Sequence, residues 1–327
     1  MAFPFPYSNL RMRQINDALG MSTSIRATTL GSSVAETCDI MVVLGNQIVP
    51  PVAGRGKRLN IFICQFPFEA PEEEIRSRAG YLATFDEIWV YSQFVRRYVS
   101  GYLRLLDLPA TSVRVVYPPA TLPTPARLPS WPDRKLVLSV GRFFEGGHNK
   151  RQDVVIEIVK RLSQKHGAPI SLALGGSLHA TASSRARFNE LVEMAKGCDC
   201  RFYPNANRQE LLDLYAQSGV LIHAAGYQVD KFAHPEGLEH FGIAPVEAAS
   251  VGCIPLVYDE GGPAEVMDLL GCPTTFHSIP EAVDQLAGLL ADPNGSAALS
   301  EELIRRSTTF STGMFRTRVN EALTSLL

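Results

Sequence analysis

The chain has 327 residues, a length that fits two compact domains at about 150 residues each. With 46% hydrophobic and 20% charged residues it has a globular composition, which excludes a disordered or collagen-like chain. Lys and Arg number 31 against 33 Asp and Glu, so the formal charge is -2 and no excess of positive charge calls for nucleic acid as a partner. Six cysteines are too sparse for a disulfide scaffold, and Cys64 and Cys253 lie in apolar runs that read as reduced core. Cys198-Asp199-Cys200 lacks the second pair that a zinc site needs. No apolar run reaches the length of a membrane span, and the opening MAFPFPYSNLRMRQ has no continuous apolar secretory region. A cytoplasmic protein is the expectation.

Short apolar runs alternate with longer amphipathic stretches along the chain. Strands are predicted at Asp39–Leu44, Asn60–Cys64, Glu87–Tyr91 and Ser112–Val116, with helices at Pro71–Leu82 and Gln93–Leu105. Residues 1–37 hold no clean strand with a Gly-rich turn, and Gly31-Ser32-Ser33 is a weak substitute, so the first domain reads as short: either a reduced domain or part of a longer parent chain. Between Tyr117 and Asp133 six prolines remove backbone donors and fix φ, which marks a linker. Beyond it the alternation restarts. Strand Lys135–Val140, helix Asp153–His166, strand Ser171–Leu174, helix Arg185–Lys196, strand Cys200–Phe202, helix Arg208–Gln217 and strand Val220–His223 follow in turn. Helix Ile243–Ser250, strand Ile254–Val257, helix Gly262–Leu269 and strand Thr274–Phe276 come next, and helices Pro280–Leu290, Ser296–Ser307 and Gly313–Leu326 close the chain. This order implies an α/β protein with parallel sheets: two Rossmann-like domains facing a cleft. The expected division is residues 1–120, a Pro-rich linker at 121–133, a second domain at 134–310 and a terminal helix at 311–327 that packs back on the first domain.

Ligands of open parallel sheets bind at the carboxyl ends of the strands, and four loops of the second domain sit there. After the strand ending at Val140, Gly141 opens a loop in which Arg142 and Lys150 can converge on one anion. As isolated charges on a loop they would be merely solvated. Gly175-Gly176 follows the next strand, where either close backbone approach to a ligand or an ordinary turn explains them. The third loop, His234 to Ala249, contains a helix start near Gly242 with Pro245 in its first turn, and its free amides suit a phosphate. Glu236 and Glu239 there could simply complement the helix dipole, whereas Glu247, among Val246, Ala248 and Ala249, needs a partner in a buried setting. In the fourth loop, Asp259 to Glu265, Glu265 reads as a first-turn charge on its own helix. No Asp-x-Asp cluster is present.

Glu239-His240-Phe241-Gly242 followed by Glu247 resembles the E-x7-E signature of retaining glycosyltransferases with the GT-B fold, family 4 (glycosyltransferase group 1). Pro245 to Val257 and Gly261-Gly262-Pro263-Ala264-Glu265 are similar to that family's helix, strand and following turn, over about Leu136 to Ala291. The EHFG variant is similar to mannosyltransferases of the lipid-linked oligosaccharide pathway and to bacterial relatives in polysaccharide biosynthesis. The resemblance implies transfer of a hexose from a nucleotide diphosphate sugar (GDP-mannose or a UDP-sugar) to a glycan or lipid-linked acceptor, with retention, no bound cofactor and no obligatory metal. Arg142 and Lys150 would neutralise the diphosphate, Gly242 and Ile243 would cradle it, Glu239 would contact the sugar and Glu247 the ribose. Tyr203 would lie against the base, and Gly141, Gly175, His240 and Phe241 would complete the donor site; His148 could also touch donor or acceptor. Peripheral membrane association goes with a lipid-linked acceptor. In the first domain, Asn60 to Phe68 resembles a family segment whose histidine is here Gln65, and Ser92 reads as a helix N-cap. A nucleotide-sugar epimerase and a non-catalytic nucleotide-sugar-binding module are the alternatives.

Overall fold

The computed structural model describes residues 2–3, 28–29, 38–67, 72–105, 107, 111–123, 128–144 and 149–327. Gly31-Ser32-Ser33, Phe68, Pro71, Pro125 and the stretch Glu145, Gly146, Gly147 and His148 lie outside them. The chain divides into two compact units, one of Met1–Val90, Val99–Arg114 and Leu323–Leu327, the other of Tyr91–Tyr98 and Val115–Ala322.

In the first unit β1 (Ala2–Phe3) and β2 (Thr28–Thr29) form a short parallel pair. A four-stranded sheet has the spatial order β3 (Ile40–Gly45), β4 (Leu59–Cys64), β5 (Glu87–Val90), β6 (Ser112–Val115). The pairs β3–β4 and β4–β5 are parallel, and α1 (Glu72–Leu82) crosses over between β4 and β5. β4 and β5 carry the apolar, β-branched and aromatic residues of buried strands, and Ile61, Phe62, Ile88 and Val90 are fully enclosed. Glu87 is buried among them because Arg114 grips its carboxylate with two hydrogen bonds of 2.7 and 2.5 Å, and Trp89 Nε1 donates at 2.7 Å. After β5, Ser92 opens α2 (Gln93–Leu105), whose residues up to Tyr98 belong to the second unit, and Ser92 Oγ accepts from the amide of Val95 at 3.1 Å. That is the N-cap its sequence context predicts.

The second unit holds a six-stranded, wholly parallel sheet. Its spatial order is β12 (Thr275–Phe276), β11 (Ile254–Tyr258), β10 (Ser218–His223), β7 (Leu136–Val140), β8 (Leu172–Gly176), β9 (Cys200–Pro204). The chain runs outward from β7 to β9, then returns to the middle and runs outward again from β10 to β12. The strand order therefore reverses between β7 and β10, and in such sheets the crevice for a ligand opens at that reversal. Helices α3 (Gln152–His166), α4 (Ala182–Met194), α5 (Arg208–Gln217), α6 (Ile243–Ser250), α7 (Gly261–Leu270), α8 (Ile279–Ala291), α9 (Pro293–Ser307) and α10 (Thr312–Leu326) follow in chain order. Side chains alternate along the strands. Val137, Leu172, Leu174, Val220 and Ile222 join one core with α3 and α8, while Leu138, Ala173 and Leu221 join another with α5. β10, buried at all six positions, is with β7 one of the two central strands.

The predicted elements agree with these to within a few residues at most, and α5, α6 and α2 have the predicted bounds. The described part of the Pro-rich segment carries neither helix nor strand until a short 3-10 turn at Trp131–Asp133. It is fastened to the second unit, because Ala120 N donates to Phe310 O at 3.0 Å and Leu122 N to Ser250 Oγ at 3.0 Å.

Candidate functional site

The carboxyl ends of β7 and β10 bring together residues far apart in the chain. Gly141 leaves β7 with its amide on Gly175 O at 2.9 Å, and Phe143 N donates to Ser177 O at 2.9 Å. The Phe143 ring anchors the loop by packing edge-on to Phe188 and beside Phe202. Buried Gln152, at the start of α3, donates to the carbonyls of Gly141 and Arg142 at 3.3 and 3.1 Å and fixes the loop from below. Lys150 then runs back over Gly141. A Cβ at Gly141 would stand 2.5 Å from Lys150 Cγ, so this glycine is needed to let the lysine stem pass. Gly176 has a similar reason: a Cβ there would fall 1.8 Å from Gly141 O, whereas one at Gly175 would meet ordinary contacts with Leu211 and Leu214. The close backbone approach at this turn is thus between two strand ends of the protein, and it belongs to Gly176.

The Lys150 ammonium ion-pairs with Glu239, and both side chains are largely shielded from solvent, at 16% and 19% exposure. Burial pushes the Glu239 carboxyl up. The ammonium of Lys150, then His223, the hydrogen bond from Lys150 and His240 outweigh it and bring the group down to about 2. His223 ends β10 with its Nε2 4.0 Å from Glu239 Oε2. Burial pushes this imidazole down to about 4, Lys150 adding to the effect and Glu239 opposing it, so the ring is neutral near pH 7. Arg142 does not join this pair. It is exposed, with its guanidinium 5.4 Å from the Phe144 ring centroid.

The backbone of Glu239 and His240 is clamped from the other side by α7. Gly262 N donates to Glu239 O at 2.8 Å, and a Cβ at Gly262 would fall 2.1 Å from His240 O. Ser92 Oγ donates to His240 O at 2.6 Å, and the His240 ring is buried. Phe241, expected in the donor site, turns its ring into the core, 5.6 Å from Phe310 and 6.3 Å from Tyr117 between centroids. Gly242 then makes the sharp entry to α6 at φ 97° and ψ 68°, a left-handed conformation that favours glycine. Among the described residues nothing accepts from the amides of Gly242 and Ile243. They supply the positive end of the helix dipole beside the Lys150–Glu239 pair.

Glu247, one turn inside α6, has the partner its surroundings call for. The fully enclosed Tyr215 donates its hydroxyl to Glu247 Oε2 at 2.8 Å. Burial pushes the Glu247 carboxyl up, against the Tyr215 hydrogen bond and the charge of Arg208. Tyr203 is not gathered to this group. It packs in the core that holds Leu211 and Leu214, and it lines a hollow with Leu136, Leu172 and Arg201, whose walls lie largely at the amino ends of the strands. Glu236 pairs with His234 at 3.0 Å, on the surface. Glu265 differs from expectation: it lies mid-helix in α7 and accepts from Gln93 N at 2.9 Å and Phe94 N at 3.1 Å, capping α2. The Tyr117 hydroxyl also donates to it at 2.7 Å. Among the described residues no three His, Cys, Asp or Glu side chains gather as a metal site, and no helix is long and apolar enough to cross a membrane. His223 is the residue that sequence reasoning passed over, since it reads as the last position of an apolar strand. Its place next to the strand-order reversal is the signal that could have found it.

Residues 124–306, more than half of the chain, match the family model described as glycosyl transferases group 1. The chain belongs to that family. No curated protein matches it in sequence. Among solved structures, this group 1 chain is similar to the E. coli trehalose-6-phosphate structure bound with UDP-2-fluoro glucose, at 12% identity and TM-score 0.62, over 90% of this chain and 75% of that one. It is similar to Anabaena HepE in complex with UDP, at 14% identity and TM-score 0.59, over 83% and 73%. It is also similar to S. aureus TarM in complex with fondaparinux, alpha-GlcNAc-glycerol and UDP, at 12% identity and TM-score 0.57, over 80% of this chain and 50% of that one. The group 1 chain thus spans half the length of TarM and about three quarters of the other two. These likenesses show the GT-B fold that the sequence leads one to expect.

Proposed function

We propose that this group 1 chain is a retaining hexosyltransferase of the family 4, EHFG type, using a nucleotide diphosphate sugar and a glycan or lipid-linked acceptor. The observation that carries the reading is the shielded Lys150–Glu239 pair set against the open amides of Gly242 and Ile243, with Glu247 eight residues further on. An ammonium has three donors and Glu239 uses one, which leaves Lys150 able to hold a diphosphate oxygen at the same time. Arg142 and the helix amides supply further positive charge where the leaving group becomes more negative. Glu239, kept ionised by Lys150, accepts hydrogen bonds from hydroxyls of the transferred sugar. Glu247, with one oxygen on Tyr215, keeps the other for the ribose. His240 lends its backbone, Gly141 gives passage to the Lys150 stem, and Gly175 holds the Gly141 amide at the strand ends that face the phosphates. Tyr203 would have to swing from its packing to reach the base. With Arg142, Lys150 and the dipole of α6 facing the diphosphate, no divalent metal is required. Uridine is the base favoured by the neighbours, which carry UDP or a UDP-sugar; GDP-mannose is the other donor to test. Cytoplasmic residence, with peripheral membrane association where the acceptor is lipid-linked, goes with this reading.

The test is turnover of UDP-glucose and GDP-mannose, with and without oligosaccharide acceptors, in EDTA and with manganese. Transfer or slow donor hydrolysis in EDTA, with the anomeric configuration kept, is expected. E239Q should depress turnover more than nucleoside diphosphate affinity, and E247Q should weaken that affinity. Conversion of the donor sugar without acceptor would instead indicate an epimerase, and binding without turnover a non-catalytic module.

A further inference from the structure

The Nε2 atom of His223 is a buried nitrogen that meets no hydrogen-bond partner among the described residues, on a residue only 5% exposed. Such a group costs free energy unless something completes it. It stands 4.0 Å from Glu239 Oε2, beyond direct hydrogen-bond range. The two atoms are nevertheless close enough for one oxygen, set to the side of the line between them, to reach both at ordinary hydrogen-bond lengths. Their chemistry is complementary. A neutral imidazole bearing its hydrogen on Nε2 donates, an ionised carboxylate only accepts, and a hydroxyl can accept from the first while donating to the second. Lys150 holds the same carboxylate oxygen, Oε2, and β10, buried throughout, fixes the imidazole.

We infer that His223 is a specificity-determining residue of the donor site, its Nε2–H and the Glu239 carboxylate together gripping one hydroxyl of the transferred sugar. The inference rests on the nucleotide-sugar reading of the site. It extends that reading to a residue outside the glutamate motif, placed by the neighbouring strand. A sugar epimeric at that hydroxyl would lose both hydrogen bonds and leave the buried His223 Nε2 without a partner again, a basis for discrimination.

The test compares the full-length chain with H223A and H223Q, using calorimetric affinities for UDP, UDP-glucose, GDP and GDP-mannose. The sugar conjugate of the preferred nucleotide should bind the unaltered chain more tightly than the bare nucleotide. H223A should lose about fivefold to tenfold of that gain, the scale of one hydrogen bond, while the bare nucleotide binds within about twofold. H223Q, whose amide presents a donor near the same place, should keep most of it. An unchanged conjugate affinity in H223A, or a parallel fall for the bare nucleotide, would overturn the inference. A second arm needs no variant: conjugates lacking one sugar hydroxyl each are bound to the unaltered chain. One position should carry a clearly larger loss than the others, and a loss spread evenly over all positions would sink the idea. If neither nucleotide nor conjugate binds the unaltered chain, the nucleotide-sugar reading itself falls.

Discussion

Lys150 carries two tasks at once, and they can be separated. Its ammonium neutralises Glu239 in a shielded setting, and in the proposed reaction it also faces the diphosphate. Removing one member of a shielded ion pair leaves the other without compensation, which costs on the order of 3 kcal/mol. K150A should therefore lower stability by about that amount as well as weaken nucleoside diphosphate binding. E239Q introduced into K150A replaces the stranded carboxylate by a neutral amide and should restore part of the stability without restoring nucleotide affinity. Urea melts of the two single variants and the double variant close the cycle. Equal stability of K150A and the unaltered chain would mean that the pair contributes nothing in solution. Arg142, exposed and set against Phe144, should show no such stability effect when changed to Ala.

The elements around the site hold one another through their ends. The first amides of α2 are completed by groups from two places: Ser92 Oγ takes Val95 N, while the Glu265 carboxylate from α7 takes Gln93 N and Phe94 N. Such capping contacts between a carboxylate and helix amides contribute about 1–3 kcal/mol together. E265A should lower the thermal midpoint accordingly, and E265Q, which keeps one acceptor oxygen, should lower it less. Loss of under about 0.5 kcal/mol in E265A would show that water replaces the cap at no cost. The role of Glu265 could not be read from the sequence, because its partners lie 172 and 171 positions away. Periodicity and turn residues report only neighbours along the chain. The bounds of α6 were legible for that reason: Gly242, Pro245 and the apolar run after them are local signals. The packing of Phe241 lies beyond the same local signals, since its ring partners, Tyr117 and Phe310, come from distant segments.

At the scale of the molecule, the parallel α/β architecture was legible because buried parallel strands and amphipathic crossover helices leave different periods in the sequence. The pairing of Lys150 with Glu239 and the presence of His223 were not, since both depend on the reversal of strand order between β7 and β10. That reversal brings a lysine of one crossover beside a glutamate of another, and it sets a strand-terminal histidine facing them. The same cluster predicts how global stability responds to acid. His223 is held down to about 4 from 6.5 by burial, so between those values the unfolded chain binds a proton that the folded chain refuses. Stability should accordingly be full above pH 6.5 and fall as pH drops from there toward 4, by up to about 3 kcal/mol. Glu239, also held low, adds a further loss below its ordinary 4.5 and down through about 2. Glu247 runs the other way: its raised carboxyl favours the folded state as pH falls toward 4.5, which opposes the trend. H223Q, with no titrating ring, separates these contributions. Its unfolding free energy from urea melts at pH 7, 6 and 5 should fall less steeply than that of the unaltered chain. Parallel slopes for the two proteins would show that His223 takes up a proton in the folded state as readily as in the unfolded one, and hence that its surroundings are wetter or more anionic than its burial implies.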